Sequence, residues 1–198
     1  MFNSKRFFWW SIIGVGGIIV VWLCFVLVAG SLVPWSVTET HVTPAAPEST
    51  DWKSFQSAQY QYSFLYPSLF VGGTQILSSG SPTLESVVFQ TPPSATGRSA
   101  IFSSVERLPS DLSGGLLSAA LQYEKGLTDA HIAFKQESVK TISIDGVEVL
   151  EKSYRIAQDH AMTRFALRNG KLYIFSILRS MDTSSEAVER KILDSFHF

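Results

Sequence analysis

The sequence predicts an α+β protein in which an N-terminal transmembrane helix precedes an α/β/α sandwich with a mainly antiparallel sheet of about six strands. Three observations lead to this prediction. A 27-residue segment near the N-terminus contains no charged side chain. Farther along the chain, runs with apolar residues at every second position alternate with turn residues, as in antiparallel strands. Two other segments place apolar residues three and four positions apart, which is typical of helices.

The composition favours a folded chain and excludes several functional classes. Apolar residues make up 45% of the chain and aromatic residues 13%, more than a disordered protein carries. The 16 Lys and Arg residues are offset by 17 Asp and Glu residues, so we expect no nucleic-acid partner bound through a basic face. The single cysteine, Cys24, excludes an intramolecular disulfide framework and a cysteine-rich zinc site.

The uncharged segment, residues 7–33, is predicted to cross a membrane. As a helix it would be about 40 Å long, enough for a hydrocarbon core of about 30 Å. Tryptophans stand at both ends, where interfacial rings are favoured. We therefore expect the lipid bilayer to be a partner through residues 7–33. Cys24 would lie within the membrane, where we interpret it as an apolar filler.

A cleaved signal peptide is the alternative for this segment. Its apolar region would be about 20 residues long, beyond the usual length of about 7–15, so we favour an uncleaved anchor. Lys5 and Arg6 precede the segment, and no basic residue follows it until Lys53. The positive-inside rule then places residues 1–6 in the cytoplasm and the C-terminal domain outside the cytoplasmic membrane, in a single-pass topology.

A linker and one domain are expected after the membrane segment. Residues 34–51 are rich in Pro, Thr and Ser and show no apolar periodicity, which is typical of an extended spacer. Residues 52–198 are enough to form one hydrophobic core. They contain no second linker and no internal repeat.

Three strands are predicted in the first part of this domain. Aromatic residues occupy every second position from 60 to 66, and Pro67 ends the run. Residues 85–90 and 100–107 are the next two candidates. Tyr60, Tyr62 and Tyr66 would line a ligand groove or the sheet core, and we favour the core because this spacing is common there.

A helix is predicted next. Its N-terminus would be capped by Ser110 or Ser113, and Gly126 would occupy the position just after its C-terminus. The apolar residues that define its buried stripe are Leu112, Leu116, Leu117, Ala120 and Leu121.

Two hairpins follow the helix. Residues 134–144 and 147–156 are predicted strands separated by Asp145-Gly146. The second hairpin turns at Asn169-Gly170, the dipeptide that favours a type I′ turn. Counting outward from this turn pairs Leu167 with Leu172 and Phe165 with Ile174.

The C-terminal segment is predicted to form a helix docked on the sheet. Residues 183–186 read as a capping box, Thr-Ser-Ser-Glu. Val188, Ile192 and Phe196 follow at helical spacing and would face the core. The charged residues expected to face water are Glu189, Arg190 and Asp194.

Three short stretches together resemble the PsbP-like domain family. Residues 62–67, an aromatic run ending in Tyr-Pro, are similar to the family's first strand. Residues 142–147 resemble its central hairpin turn, and residues 192–198 its closing helix with a short Ser-Phe-x-Phe strand. The resemblance implies a non-enzymatic domain that engages other proteins and occasionally metal ions or small ligands.

The four histidines do not form a recognisable metal motif. His41, His131, His160 and His197 show neither H-x-x-x-H nor H-E-x-x-H spacing. We interpret Asp159-His160 as a solvated loop pair. Asp182 and Glu186 would suit calcium, but a helix cap explains both. No catalytic, cofactor-binding or metal-binding residue is therefore assigned.

The leading functional hypothesis is a membrane-anchored, extracytoplasmic, non-catalytic binding domain whose partner is a protein or a small ligand. The alternative is an envelope hydrolase in which a serine, an aspartate and either His131 or His160 meet in space. A third hypothesis is a tethered spacer without a binding role.

Overall fold

Nine strands and two helices make up the part of the chain that the structure describes. The structure is a computed structural model and describes residues 51–76, 82–92, 99–108, 114–157, 159–180 and 186–198. In chain order the elements are β1 (Trp52–Ser57), β2 (Tyr62–Pro67), β3 (Val71–Ile76), β4 (Thr83–Gln90), β5 (Ser99–Arg107), α1 (Gly115–Asp129), β6 (Phe134–Ile144), β7 (Val147–Ile156), β8 (Asp159–Arg168), β9 (Lys171–Ser180) and α2 (Glu186–Asp194).

The strands form two antiparallel sheets. The main sheet has seven strands in the order β3-β4-β5-β9-β8-β7-β6, one more than the number expected from the sequence. The small sheet consists of β1 and β2 alone. Within the described ranges no helix is both long and apolar enough to cross a bilayer. The predicted membrane segment, residues 7–33, and nearly all of the linker lie outside these ranges.

Elements cover both faces of the main sheet and create two hydrophobic cores. Helix α1 covers one face, where Leu127, Tyr154 and Phe165 are fully buried. The small sheet and α2 cover the opposite face, where Tyr62 and Phe64 pack with α2 residues such as Leu193. The α+β class and the layered arrangement predicted from the sequence are therefore present in the described domain.

Two tight turns fix the register of strands β6 to β9. Asp145 and Gly146 have φ values of 52° and 78°, and Asn169 and Gly170 have 51° and 66°. Positive φ at both central residues defines the type I′ turn, whose twist matches that of the flanking strands. Both predicted hairpins are confirmed, including the pairs Leu167–Leu172 and Phe165–Ile174.

The predicted aromatic strand lies in the small sheet and not in the main sheet. Tyr62 and Phe64 of β2 are buried, Tyr60 just before them is also buried, and Tyr66 is half-buried. The Phe64 ring centroid lies 5.0 Å from that of Phe175 on β9. The interpretation of these aromatics as core residues is confirmed for Tyr60 and Tyr62. The pairing partner β1 was not predicted, because its sequence has no regular apolar alternation.

The predicted end of α1 was wrong. Gly126 does not follow the helix but lies buried within it, and the helix continues to Asp129. Gly126 has no side chain, so the helix can approach the sheet closely at this point. His131, with φ of 58°, provides the left-handed residue just beyond the helix. Gly114 precedes the helix without a side-chain cap, and Ser110 and Ser113 lie outside the described residues.

The predicted buried stripe of α1 was also partly wrong. Leu117 and Leu121 are 56% and 54% exposed, whereas Ala119 and Ala120 are buried. The helix turns its small side chains towards the sheet because Tyr123 and Leu127 on the same side fill the space beside them. Leu112 lies outside the described ranges.

The C-terminal segment joins α2 to the small sheet. Ile192 and Phe196 are buried as predicted, and Val188 is half-buried. The Ser-Phe-x-Phe strand expected from the family resemblance is a single bridge, in which His197 exchanges two backbone hydrogen bonds with Ser63. Glu186 begins α2, while residues 183–185 of the predicted capping box lie outside the described ranges.

A buried carboxylate fastens the small sheet to the main sheet. Glu85 of β4 is 5% exposed and accepts hydrogen bonds from the Ser57 hydroxyl at 3.0 Å and the Tyr62 hydroxyl at 2.8 Å. Burial raises the pKa of Tyr62, so this side chain remains a hydrogen-bond donor throughout the neutral range.

Replacing Tyr62 with phenylalanine is expected to destabilise the domain by about 2 kcal/mol. The ring and its packing remain, but a buried carboxylate loses one of its two described donors, and hydrogen bonds to charged groups contribute about 1.5–3 kcal/mol. Urea unfolding of the full chain in mild detergent, followed by circular dichroism, measures the change. Tyr66→Phe is the matched control, and an equal loss in that variant would contradict the assignment.

Candidate functional site

A cleft of about 190 Å³ opens between α2 and the strands beneath it. Met162 of β8 and Leu193 of α2 supply its apolar surface. The rest of its lining is polar or charged and consists of Ser153, His160, Arg179, Glu186, Glu189 and Arg190. The cleft is therefore small and mainly polar, with charged side chains around a small apolar area.

Glu189 lies at the base of this cleft, which corrects the prediction that it faces water. Its side chain is 4% exposed. One carboxylate oxygen accepts a hydrogen bond from Arg179 Nε at 2.6 Å, and the other lies 3.2 Å from His160 Nδ1. The two partners offset the desolvation of the carboxylate, so a glutamate is stable in this position. Arg190 and Asp194 are exposed, as predicted.

His160 lies between two carboxylates, and the interpretation of Asp159-His160 as a loop pair was wrong. Both residues begin β8. His160 faces α2 and is 17% exposed, with Nδ1 directed to Glu189 and Nε2 lying 3.8 Å from a Glu137 oxygen. Asp159 lies on the opposite face of the sheet, since consecutive residues of a strand point to opposite faces.

Four basic or titratable side chains form a row across the end of the main sheet. Lys135 of β6 is paired with Arg155 of β7, Arg155 with His160 of β8, and His160 with Arg179 of β9. Directly paired residues of an antiparallel sheet lie on the same face. We call Lys135, Arg155, His160 and Arg179 the cationic row. Its last two members line the cleft.

Glu137 reaches this row because β6 contains a bulge. The register shifts between Gln136 and Ser138, which leaves Glu137 as the extra residue. Its carboxylate accepts a hydrogen bond from Arg155 Nε at 2.8 Å. This hydrogen bond is the main reason that the pKa of Glu137 is lowered. Lys135 contributes to the same lowering through its charge but forms no direct ion pair with a described residue.

A second charged cluster supports α2 beside the cleft. Arg164 of β8 is 5% exposed and donates from Nε to Glu151 at 2.7 Å. It also donates from Nη1 to the Leu193 carbonyl near the end of α2. Burial would raise the pKa of Glu151, but hydrogen bonds from Lys140 and Arg164 outweigh it and the pKa is lowered. The cluster fixes α2 relative to the sheet and hence fixes the cleft.

The other histidines singled out in the sequence lie away from the cleft. His131 is exposed after α1. His197 is also exposed, with Nδ1 3.3 Å from Asp145. His41 and Asp182 lie outside the described ranges. The described residues contain no group of three or more His, Cys, Asp or Glu side chains arranged to hold a metal ion.

The cleft does not contain the contacts that the hydrolase hypothesis requires. Ser153 lines it together with His160, but the Ser153 hydroxyl lies 2.6 Å from the Ser138 hydroxyl. Both ring nitrogens of His160 face carboxylates. A serine nucleophile needs its hydroxyl within about 2.6–3.2 Å of the base, and no such contact with His160 or His131 occurs among the residues described.

The Asn169-Gly170 turn provides a sequence signal for the cationic row. Extending the predicted register outward from Asn169-Gly170 places His160 opposite Arg179. Carrying the register on to β7 adds Arg155. The contact of Glu189 with these residues has no comparable local signal in the sequence, because it depends on how α2 packs on the sheet.

Comparisons with known proteins support the fold. No protein-family model and no curated protein sequence matches the chain. The solution structure of cyanobacterial PsbP (CyanoP) from Synechocystis sp. PCC 6803 is similar with a TM-score of 0.55 and 19% identity. The match covers 81% of this chain and 97% of that chain. The domain therefore has a PsbP-like fold.

A second solved structure has a related architecture. The crystal structure of the Ran-binding protein Mog1p from Saccharomyces cerevisiae is similar with a TM-score of 0.51 and 11% identity. The match covers 74% of this chain and 95% of that chain. At these identities both likenesses concern the fold.

Proposed function

We propose that this chain is a single-pass membrane protein whose C-terminal domain, outside the cytoplasmic membrane, binds a partner protein through the cleft beneath α2 without catalysing a reaction. The cleft is the observation that carries the proposal. Glu189 holds Arg179 and His160 in place beside a small apolar area, and both ring nitrogens of the histidine face carboxylates. Such a site is suited to recognition, whereas nucleophilic catalysis needs a hydroxyl or thiol beside the base.

The family resemblance and the fold comparisons support a binding role. Of the two similar structures, one is a cyanobacterial PsbP and the other is described as a Ran-binding protein. Neither partner is transferred to this chain. The likeness supports the general class of non-catalytic binding domain.

The sequence supports the membrane attachment. Residues 7–33 are long and apolar enough to anchor the chain, and basic residues precede them. At about 3.1 Å per residue, an extended Pro-rich spacer with the length of residues 34–51 would reach at most roughly 55 Å. The domain would thus remain near the bilayer and meet partners in or beside the membrane.

Protease added to intact cells without an outer membrane, or to spheroplasts, is expected to degrade the C-terminal domain and leave a short membrane fragment. The reason is that the proposed topology exposes residues 52–198 on the outer side. Immunoblotting against epitopes at both ends follows the fragments. Degradation of the domain only after cell lysis would contradict this topology. A mature chain that begins near Gly30, as after cleavage of a signal peptide, would contradict the membrane anchor.

A photo-crosslinker in place of Arg190 is expected to capture a discrete protein in cells that naturally contain this chain. Arg190 lines the cleft and is exposed, so the probe reaches a bound partner without altering the core. The matched control places the same probe at Lys125, an exposed residue of α1 on the opposite face. Equal capture from both positions would contradict binding at the cleft.

A further inference from the structure

We infer that the partner presents an extended acidic segment, and that its carboxylates bind along the cationic row and to Arg190 beside it. The inference rests on the proposed function and names the chemistry of the partner for the same cleft. It follows from the pattern of charge across the sheet, from the acids that accompany the row and from the dimensions of the row.

The cationic row is unfavourable for the isolated sheet. Like charges directly opposite each other on neighbouring strands are destabilising, and opposite charges are worth roughly 0.2–1 kcal/mol per pair. Lys135 and Arg155 are such a like-charged pair, and Arg179 lies on the same face two strands beyond Arg155. A sheet built for stability alone would alternate the signs here. The row therefore needs negative charge from residues outside the paired positions, either of the domain itself or of a partner.

Acidic residues of the domain pair with Arg155, His160 and Arg179 of the row but not with Lys135. Glu137 contacts Arg155 and His160, and Glu189 contacts His160 and Arg179. Lys135 at one end of the row and Arg190 on α2 are exposed and form no ion pair with a described residue. Glu186 is the remaining acid of the cleft lining and is exposed on the first turn of α2. The site therefore keeps an excess of positive charge.

The row has the length of a short extended peptide. Neighbouring strands lie about 4.8 Å apart, so the distance from β6 to β9 is about 14 Å. An extended chain rises about 3.3 Å per residue, and roughly five residues cover this distance. A peptide crossing the strands would thus place its acidic side chains near Lys135, Arg155 and the Arg179 end of the row.

The depth of the cleft favours a peptide over a bilayer surface. His160 and Arg179 are only 17% and 16% exposed beneath α2. A side-chain carboxylate can enter such a cleft, whereas a flat layer of lipid headgroups would contact mainly the exposed Lys135 and Arg190. Guanidinium groups also match the planar geometry of carboxylates. We therefore assign the site to an acidic protein segment.

The test measures binding of a fluorescent peptide with five consecutive glutamates to the full chain in phosphatidylcholine nanodiscs. The same peptide with five glutamines is the ligand control. Fluorescence anisotropy at low and moderate salt should show tighter binding of the glutamate peptide, and screening should weaken it as salt rises.

Matched variants locate the binding site. Arg190→Gln and Lys135→Gln should each weaken binding up to about fivefold, the value of an exposed ion pair. Lys171→Gln removes one positive charge from the opposite end of β9 and should have little effect. Circular dichroism verifies that each variant is folded.

Three outcomes would overturn the inference. These are equal binding of the glutamate and glutamine peptides, an equal loss of affinity in Lys171→Gln and Arg190→Gln, and replacement of the peptide by anionic vesicles as the ligand that depends on Arg190. If the glutamate peptide does not bind but crosslinking from position 190 persists, the acidic segment is rejected and the proposed function stands. If peptide binding and crosslinking are both absent, the binding role of the cleft itself is rejected.

Discussion

Replacing Glu106 with glutamine is expected to stabilise the domain by about 3 kcal/mol at pH 8 and to have little effect near pH 4. Glu106 of β5 is 8% exposed, and its carboxylate lies 3.4 Å from the Ser104 hydroxyl without an ion pair to any described cation. Burial raises its pKa to about 7, while the Ser104 hydrogen bond opposes the shift. The folded state therefore favours the neutral carboxyl.

The sign of the pH dependence follows from this preference. Below the ordinary pKa of 4.5 the carboxyl is neutral in both states, so it carries no penalty. Between pH 4.5 and about 7 the unfolded chain releases the proton and the folded chain retains it. The free energy of unfolding consequently decreases as the pH rises through this interval, and the loss is complete above it. Glutamine does not titrate and avoids the loss.

Urea unfolding of the full chain in mild detergent at pH 4, 6 and 8 measures the effect. The difference between Glu106→Gln and the unaltered protein should increase across this series. Glu148→Gln, at an exposed position of β7, provides the control with the same chemical change. A difference that is independent of pH would show that the Glu106 carboxyl has the same pKa in the folded and unfolded protein, which would contradict the raised pKa.

Replacing Arg164 with methionine is expected to destabilise the domain by about 3–5 kcal/mol, because it leaves one member of a buried ion pair without its partner. Glu151 is 3% exposed and would keep only Lys140, which is half-exposed. The Leu193 carbonyl would also lose the hydrogen bond that holds the end of α2. The change should therefore weaken both the core and the wall of the cleft.

The double variant Glu151→Leu/Arg164→Met separates the ion pair from the packing. Removing both charges eliminates the stranded carboxylate, so the double variant should be more stable than Arg164→Met alone. Arg190→Met, an exposed substitution on α2, should change the free energy of unfolding by less than about 0.5 kcal/mol. A double variant as unstable as the single one would indicate that packing, and not the unpaired charge, dominates. Urea unfolding measures all three.

The features that could be predicted from the sequence are those specified by nearby residues. Asp145-Gly146 and Asn169-Gly170 set their hairpins because the turn conformation and the register depend on residues only a few positions away. The ends of β6 and β7 were predicted correctly for this reason. The PsbP-like fold also followed from the three short stretches that resemble the family.

The features that were missed depend on contacts between distant segments. The Leu117 and Leu121 side chains fit an apolar helical pattern as well as the buried residues of α1 do. Only the orientation of α1 on the sheet leaves them exposed. Glu189 occupies the expected polar side of α2 but lies against Arg179 and His160, which belong to other elements. A helical pattern identifies a helix. It does not identify a polar residue that is buried because the neighbouring sheet provides an opposite charge.

The bridge between Ser63 and His197 has a consequence for biosynthesis. The Leu65 amide also donates to the Ser195 hydroxyl, a contact that spans 130 residues of sequence. A nascent chain therefore completes β1 and β2 long before their C-terminal partner emerges, and such late closure slows folding and prolongs exposure of unpaired edges. During synthesis, this early hairpin is therefore a segment to which we expect a chaperone to bind.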